Sequence, residues 1–212
     1  MEITIDQIKK LREMSGAGVG AVRESLTVSN GDEEAAMKFL REKGVAKADK
    51  RKGRAALNGV LGVYVHSNNK VVVVVEVNCE TDFAAKSPEL LKFANDIALQ
   101  VAAANPTFIS RESVDADLLA QEKDTFLKEL EGKPEGVKEK ILEGKLEKFY
   151  TANALLEQTL FTDETRTVKD YISELVAKIG EKVEIKQFSK FEVAQDVVAC
   201  KLENTVTESD ED

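Results

Sequence analysis

Lys70-Val71-Val72-Val73-Val74-Val75-Glu76-Val77-Asn78 is the stretch whose reading decides the fold, and Cys79-Glu80-Thr81-Asp82-Phe83 follows it directly. A run of valines favours extended backbone, because branching at Cβ restricts the side chain in a helix and packs well on a pleated surface. Upstream, Val60, Leu61, Val63, Tyr64 and Val65 have the same character, and His66-Ser67-Asn68-Asn69 supplies turn residues between the two runs. Together they predict a β-hairpin whose second strand is buried on both faces. Downstream the period changes to that of helices. Ser87-Pro88 marks a start, Asn105-Pro106 an end, and Leu90, Phe93, Ala94, Ile97, Ala98 and Val101 share one stripe between them. Helical stripes follow at Leu118, Leu119, Phe126, Leu127 and Leu130, then at Val137, Ile141 and Leu146. A cleaner helix after Thr167 turns Val168, Tyr171, Ile172, Leu175, Val176 and Ile179 inward and stops at Gly180, and Val183, Ile185, Phe188, Phe191 and Val193 suggest a last strand. Hairpin, helices and final strand predict an α+β domain with an antiparallel sheet.

Ahead of it, the N-terminal residues read as three short helices. Thr4 with Gln7 has the form of a capping box, with Ile5, Ile8 and Leu11 at helical spacing. Ser15-Gly16-Ala17-Gly18 breaks that helix; Val19, Val22 and Leu26 carry a second, which ends before Ser29-Asn30-Gly31. Asp32 is placed to cap a third, with Ala35, Ala36, Phe39 and Leu40 on its apolar side and Gly44 as its stop. Charge divides the chain in the same way: residues 1–54 carry a net +3 and the remainder −12. The expected organisation is a three-helix binding module at 1–54, an α+β core at 55–198 and a disordered acidic tail at 199–212, with Glu203, Glu208, Asp210, Glu211 and Asp212 and no basic residue among the last ten. The basic stretch Lys47, Lys50, Arg51, Lys52 and Arg54 is either an exposed helix or a linker.

Composition bounds the function. With 212 residues, a net charge of −9 and 33% charged residues, the chain is expected to be soluble and not to have nucleic acid as its main partner. No apolar run approaches the roughly 18 residues of a membrane span, and Met1-Glu2-Ile3-Thr4 lacks the basic start and apolar stretch of a signal peptide. Cys79, Cys200 and His66 make neither a disulfide framework nor a metal set, so a reducing compartment, bacterial cytoplasm or an organelle's stroma or matrix, and no cofactor are expected. Gly16-Ala17-Gly18-Val19-Gly20 follows a helix rather than a strand and lacks the Lys-Ser/Thr ending of a phosphate loop, which makes it a tight turn open to a partner's backbone. His66 has no visible base or nucleophile to serve, and the carboxylates are scattered, so nothing makes a case for an enzyme.

Asn78-Cys79-Glu80-Thr81-Asp82-Phe83 stands at a strand-to-helix junction, where side chains project from a rigid support. Thr81 or Asp82 could cap a helical turn while Phe83 fills the core. Exposed instead, the ring would be a wedge able to part a partner's helices, with the acid able to engage the partner's backbone or cation.

These residues resemble bacterial and organellar translation elongation factor Ts, the guanine-nucleotide exchange factor for elongation factor Tu. The resemblance lies in Leu11-Arg12-Glu13-Met14-Ser15-Gly16-Ala17-Gly18 with the Asn30-Gly31-Asp32 turn, and in Glu76-Val77-Asn78-Cys79-Glu80-Thr81-Asp82-Phe83. A third stretch runs from Gly132-Lys133-Pro134-Glu135 through Ile141-Leu142-Glu143-Gly144-Lys145-Leu146 to Leu155-Leu156-Glu157-Gln158. It implies a ubiquitin-associated-like three-helix domain joined to an α+β core, as in short members lacking a long coiled-coil insertion. It also implies that Thr81, Asp82 and Phe83 contact the partner's nucleotide domain and disturb its magnesium and phosphate loop, that Arg12, Gly18 and Val19 touch the same domain, and that two copies can pair through the core. Two positions depart from the family: Val19-Gly20 stands where relatives carry two bulky apolar residues, and Lys186-Gln187-Phe188 where two basic residues precede the aromatic. The rival reading is a helical adaptor fused to an unrelated α+β domain, without exchange activity.

Overall fold

The computed structural model describes residues 3–130, 134–195 and 198–201. Helix α1 (Ile5–Ser15) opens on the Thr4/Gln7 capping box and closes at Gly16, whose φ of 65° is left-handed and whose N–H donates to the Arg12 carbonyl at 2.8 Å. Helix α2 spans Val19–Val28 and α3 spans Glu33–Arg51, where the Asp32 carboxylate accepts the Ala35 N–H at 2.9 Å. Leu11, Val22, Leu26, Ala36 and Leu40 form a small core of their own between these helices.

One expectation fails here. Helix α3 does not stop at Gly44 but continues to Arg51, so the basic stretch is largely helical. Gly44 serves close approach: a Cβ placed on it would lie 3.2 Å from the Ser173 carbonyl oxygen, which belongs to helix α8 (Val168–Ile179). The module therefore has its own core, yet its last helix is seated along the second unit, and Ala48 packs against the larger core.

That larger core is built on a four-stranded antiparallel sheet in the order β1-β2-β5-β6, with β1 Asn58–Val65, β2 Val71–Cys79, β5 Val183–Glu192 and β6 Val198–Lys201. Val73, Val75, Val77 and Cys79 point to one face and are fully buried with Phe93, Ile97, Val176 and Phe188 beneath α5 (Pro88–Ala104) and α8. Backbone approach is so close at Gly62 that a Cβ there would fall 2.0 Å from the Ala94 carbonyl oxygen.

The expectation that β2 is buried on both faces also fails. Val72, Val74 and Glu76 are only half-buried, and the strands beside them leave Leu61, Val63, Val65 and Phe191 exposed. All these residues align in register on the face opposite the helices. A register shift between Glu76 and Val77 skips Lys186, which lets Val183, Ile185 and Phe188 all turn inward despite their uneven spacing.

The C-terminal boundary differs too. Strand β6 carries Cys200 opposite Phe188, packed against the core, so the sheet runs past residue 198. The acidic residues Glu203, Glu208, Asp210, Glu211 and Asp212 lie outside the described residues. Between the sheet strands, α4 (Asp82–Ala85) is a single turn, α6 (Ala116–Glu129) and α7 (Glu135–Asn153) pair with a Lys145–Glu129 ion pair between them, and β3 (Thr159–Leu160) and β4 (Asp163–Thr167) form an unanticipated small hairpin. Gly132 and Lys133 of the third matching stretch lie outside the described residues.

Candidate functional site

The chain leaves β2 at Cys79 and turns at once into α4. Thr81 is extended, as a capping residue must be, and its Oγ1 accepts the Ala84 N–H at 3.3 Å. The same hydroxyl donates to Glu181 Oε1 at 2.8 Å, and the Thr81 N–H donates to Glu181 Oε2 at 3.0 Å. Just before it, the Glu80 carboxylate accepts the Lys182 N–H at 2.6 Å, Arg51 Nη1 at 2.8 Å and Arg54 Nη1 at 3.1 Å. The Lys182 N–H, followed by the two guanidinium groups, holds the Glu80 carboxyl at a pKa of about 2, far below its ordinary value. Cys79 Sγ donates to the Thr81 carbonyl at 3.1 Å; burial pushes this thiol's pKa up, and the Glu181 charge adds to that.

So supported, the turn presents Phe83 with 82% of its surface exposed, while the neighbouring inward position is taken by Ala84. The ring does not fill the core. Asp82 is exposed as well and ion-pairs with Lys86 at 2.8 Å, whose hydrogen bond lowers the carboxyl's pKa. An exposed pair of this kind is worth little and opens readily toward a competing group.

Arg12 sits exposed in the last turn of α1, Gly18 caps α2, and Val19 is its first residue, also exposed. A Cβ added at Gly18 or Gly20 would meet nothing within 4 Å, so packing inside the chain does not demand glycine at either position. Gly16 is different. Its positive φ requires it, and a Cβ there would lie 3.1 Å from Cδ of Lys178. Lys178 Nζ in turn pairs at 3.1 Å with Glu89 in the first turn of α5, a few residues past Phe83. One α8 lysine thus bridges the glycine turn and the helix that follows the Thr81–Phe83 segment.

A cleft of about 280 Å³ opens between module and core, lined by Met14, Met37, Leu40, Arg41, Arg166 and Glu174 among others. Its charges are already matched: Glu174 pairs with Arg41 at 3.5 Å and Arg166 at 2.6 Å, and Arg166 with Asp163 at 2.7 Å. It is a joint rather than a receptor for a charged ligand. Among the described residues, no three of His, Cys, Asp and Glu converge as a metal-binding group, and no helix is long and apolar enough to cross a membrane. His66 Nδ1 meets the Tyr64 hydroxyl at 2.9 Å in the exposed hairpin turn. At the departing Lys186-Gln187-Phe188 segment, Gln187 Nε2 donates to Glu76 Oε2 at 2.6 Å and Phe188 is buried.

Glu80 lies in a stretch that the sequence singles out, but nothing local points to its side-chain role or to those of Glu181, Lys182, Arg51 and Arg54. The partners that join them across the fold lie 26 to 128 positions away, and in the sequence Arg51 and Arg54 read only as part of a basic stretch, helix or linker.

Fold and site together define a two-unit α+β protein in which a small helical module is fastened beside a rigid, aromatic-bearing turn. The elongation factor TS family model matches residues 22–175. The chain is 45% identical to elongation factor Ts of Thermotoga maritima over 195 residues, and 47% identical to that of Solidesulfovibrio magneticus over 196, each alignment covering 92% of this chain and 98% of the relative. With elongation factor Ts of Moorella thermoacetica the identity is 44% over 198 residues, with the same coverage. The chain belongs to the elongation factor Ts family.

Proposed function

We propose that this chain is a guanine-nucleotide exchange factor that binds elongation factor Tu and promotes GDP release, without catalysing a chemical step of its own. The observation that carries the reading is Phe83, a large apolar ring standing in solvent on a turn fastened from both sides. A GTPase holds its nucleotide through backbone donors and a magnesium ion, so a protein that prefers the nucleotide-free form weakens nucleotide binding by the same factor. Burying one Phe ring contributes roughly 1.5 to 3 kcal/mol before ordering costs, which corresponds to about ten- to a hundredfold. Larger stimulation requires the wider interface. In this reading Phe83 parts the partner's nucleotide domain, Asp82 exchanges Lys86 for polar groups near the partner's magnesium site, and Thr81 keeps the turn in shape. Arg12, Gly18 and Val19 hold the partner in register, with Gly18 allowing close backbone approach.

The homodimer implied by the family has a surface available for it in the apolar sheet face of Leu61, Val63, Val65 and Phe191. Sedimentation of the chain and of a Val63→Lys variant tests that pairing, which predicts a shift to monomer in the variant. The exchange reading is tested by stopped-flow release of fluorescent GDP from elongation factor Tu with and without the chain. Acceleration supports it; binding without acceleration would instead establish the adaptor reading.

A further inference from the structure

Residues Glu80-Thr81 and Glu181-Lys182 hold each other reciprocally. The Glu80 side chain takes the Lys182 backbone N–H, and the Glu181 side chain takes the Thr81 backbone N–H and hydroxyl. The same Glu80 carboxylate reaches in the other direction to Arg51, the last residue of α3, and to Arg54 in the crossing between the two units. Lys182 closes the ring, with its Nζ donating to the Arg54 carbonyl at 2.9 Å and pairing with Glu184 at 2.8 Å. Only 18% of the Glu80 side chain is exposed, so water competes weakly for its bonds to the Lys182 N–H and to Arg51, while the Arg54 side chain is more than half in solvent. One carboxylate thereby joins the end of the helical module, the crossing, the α8–β5 corner and the turn that carries Phe83.

We propose that Glu80 is a positioning residue: it fixes the bearing of the helical module relative to the Phe83 turn, so that both surfaces meet one partner at once. This rests on the exchange reading above. Two surfaces on a fixed frame act with a high effective concentration for each other, and loosening the frame lowers that concentration without altering either surface. Loss of Glu80 is therefore expected to show in the amount of chain needed, and only slightly in the rate reached when the partner is saturated.

The experiment titrates GDP release from elongation factor Tu with wild-type chain, with Glu80→Gln, and with the pair Arg51→Gln and Arg54→Gln, alongside hydrogen exchange of residues 52–57 and 181–184. The charge-removing variants are expected to raise the half-maximal concentration about tenfold, to lower the ceiling rate less than twofold, and to speed exchange in both segments. Combining all three substitutions should add little beyond either set alone, because both break one linkage. An unchanged half-maximal concentration, a ceiling that collapses with it, or full additivity overturns the positioning role. Should wild-type chain itself fail to accelerate release, the exchange reading falls, and unchanged hydrogen exchange in the variants separately overturns the linkage.

Discussion

Thr81 and Glu181 stand a hundred positions apart and are joined by two hydrogen bonds, 3.0 Å from the Thr81 N–H and 2.8 Å from its hydroxyl. The corner after α8 thus secures the first residue of the turn that displays Phe83. Replacing Thr81 with Val keeps the shape and removes the hydroxyl, which leaves one Glu181 oxygen short of a partner and strips α4 of its cap. A loss of about 1 to 2 kcal/mol is expected in urea unfolding, and an unchanged midpoint would show that the corner carries no such load.

Phe83→Ala acts on the opposite side of the same turn. The ring is in solvent, so unfolding free energy should move by less than about 0.5 kcal/mol. Stimulated GDP release should slow by about ten- to a hundredfold. A variant that releases GDP as fast as wild type would remove the ring from its proposed role.

Gly18→Ala separates binding from stability at the glycine turn. Its φ of −64° suits alanine and nothing lies within 4 Å, so melting should be unaffected within about 0.5 kcal/mol. Affinity for elongation factor Tu should nonetheless fall, measurable by titration calorimetry, because the added methyl stands where a partner's backbone would approach.

Gly62→Ala should be the harshest small substitution in the core. The new methyl would press 2.0 Å from the Ala94 carbonyl, and that oxygen belongs to the backbone of α5, which cannot step aside alone. A cost of about 3 kcal/mol or loss of folded protein is expected, read by circular dichroism on denaturation.

Acid should act through Glu80. Its carboxyl titrates near 2 when folded against an ordinary 4.5, so the folded state resists taking a proton that the unfolded chain accepts. The stabilisation is complete above pH 4.5 and drains as pH falls toward 2. Glu80→Gln should flatten that part of the acid-unfolding curve while being less stable at neutral pH. Superimposable acid limbs in the two proteins would rule this group out.

Much of this was legible in the sequence because it depends on neighbours. The Thr4/Gln7 box, the Asp32 and Ser87 caps, and the Asn105 and Gly180 stops are local chemistry, and each stands where its residues imply. The valine run announced its strand for the same reason. What stayed hidden depends on distance. Gly44 reads as a helix stop because glycine commonly is one, yet it is helical here and answers to a carbonyl in α8. The open face of β2 was masked because valine alternating with valine carries no mark of which side a helix will cover. The exposure of Phe83 and the partners of Glu80 follow from how the turn meets a corner a hundred residues later, which no spacing encodes.

The seating of α3 on α8 bears on how this architecture can be cut and recombined. Because Gly44 and Ala48 rest on the second unit, the N-terminal quarter is not a portable part: a graft severed at residue 45 would carry away about two-thirds of α3 and leave a bare groove behind. Chimeras between relatives should splice within residues 52–57 and transplant the matching α8 face together with the module, so that donor and recipient surfaces arrive as a matched pair.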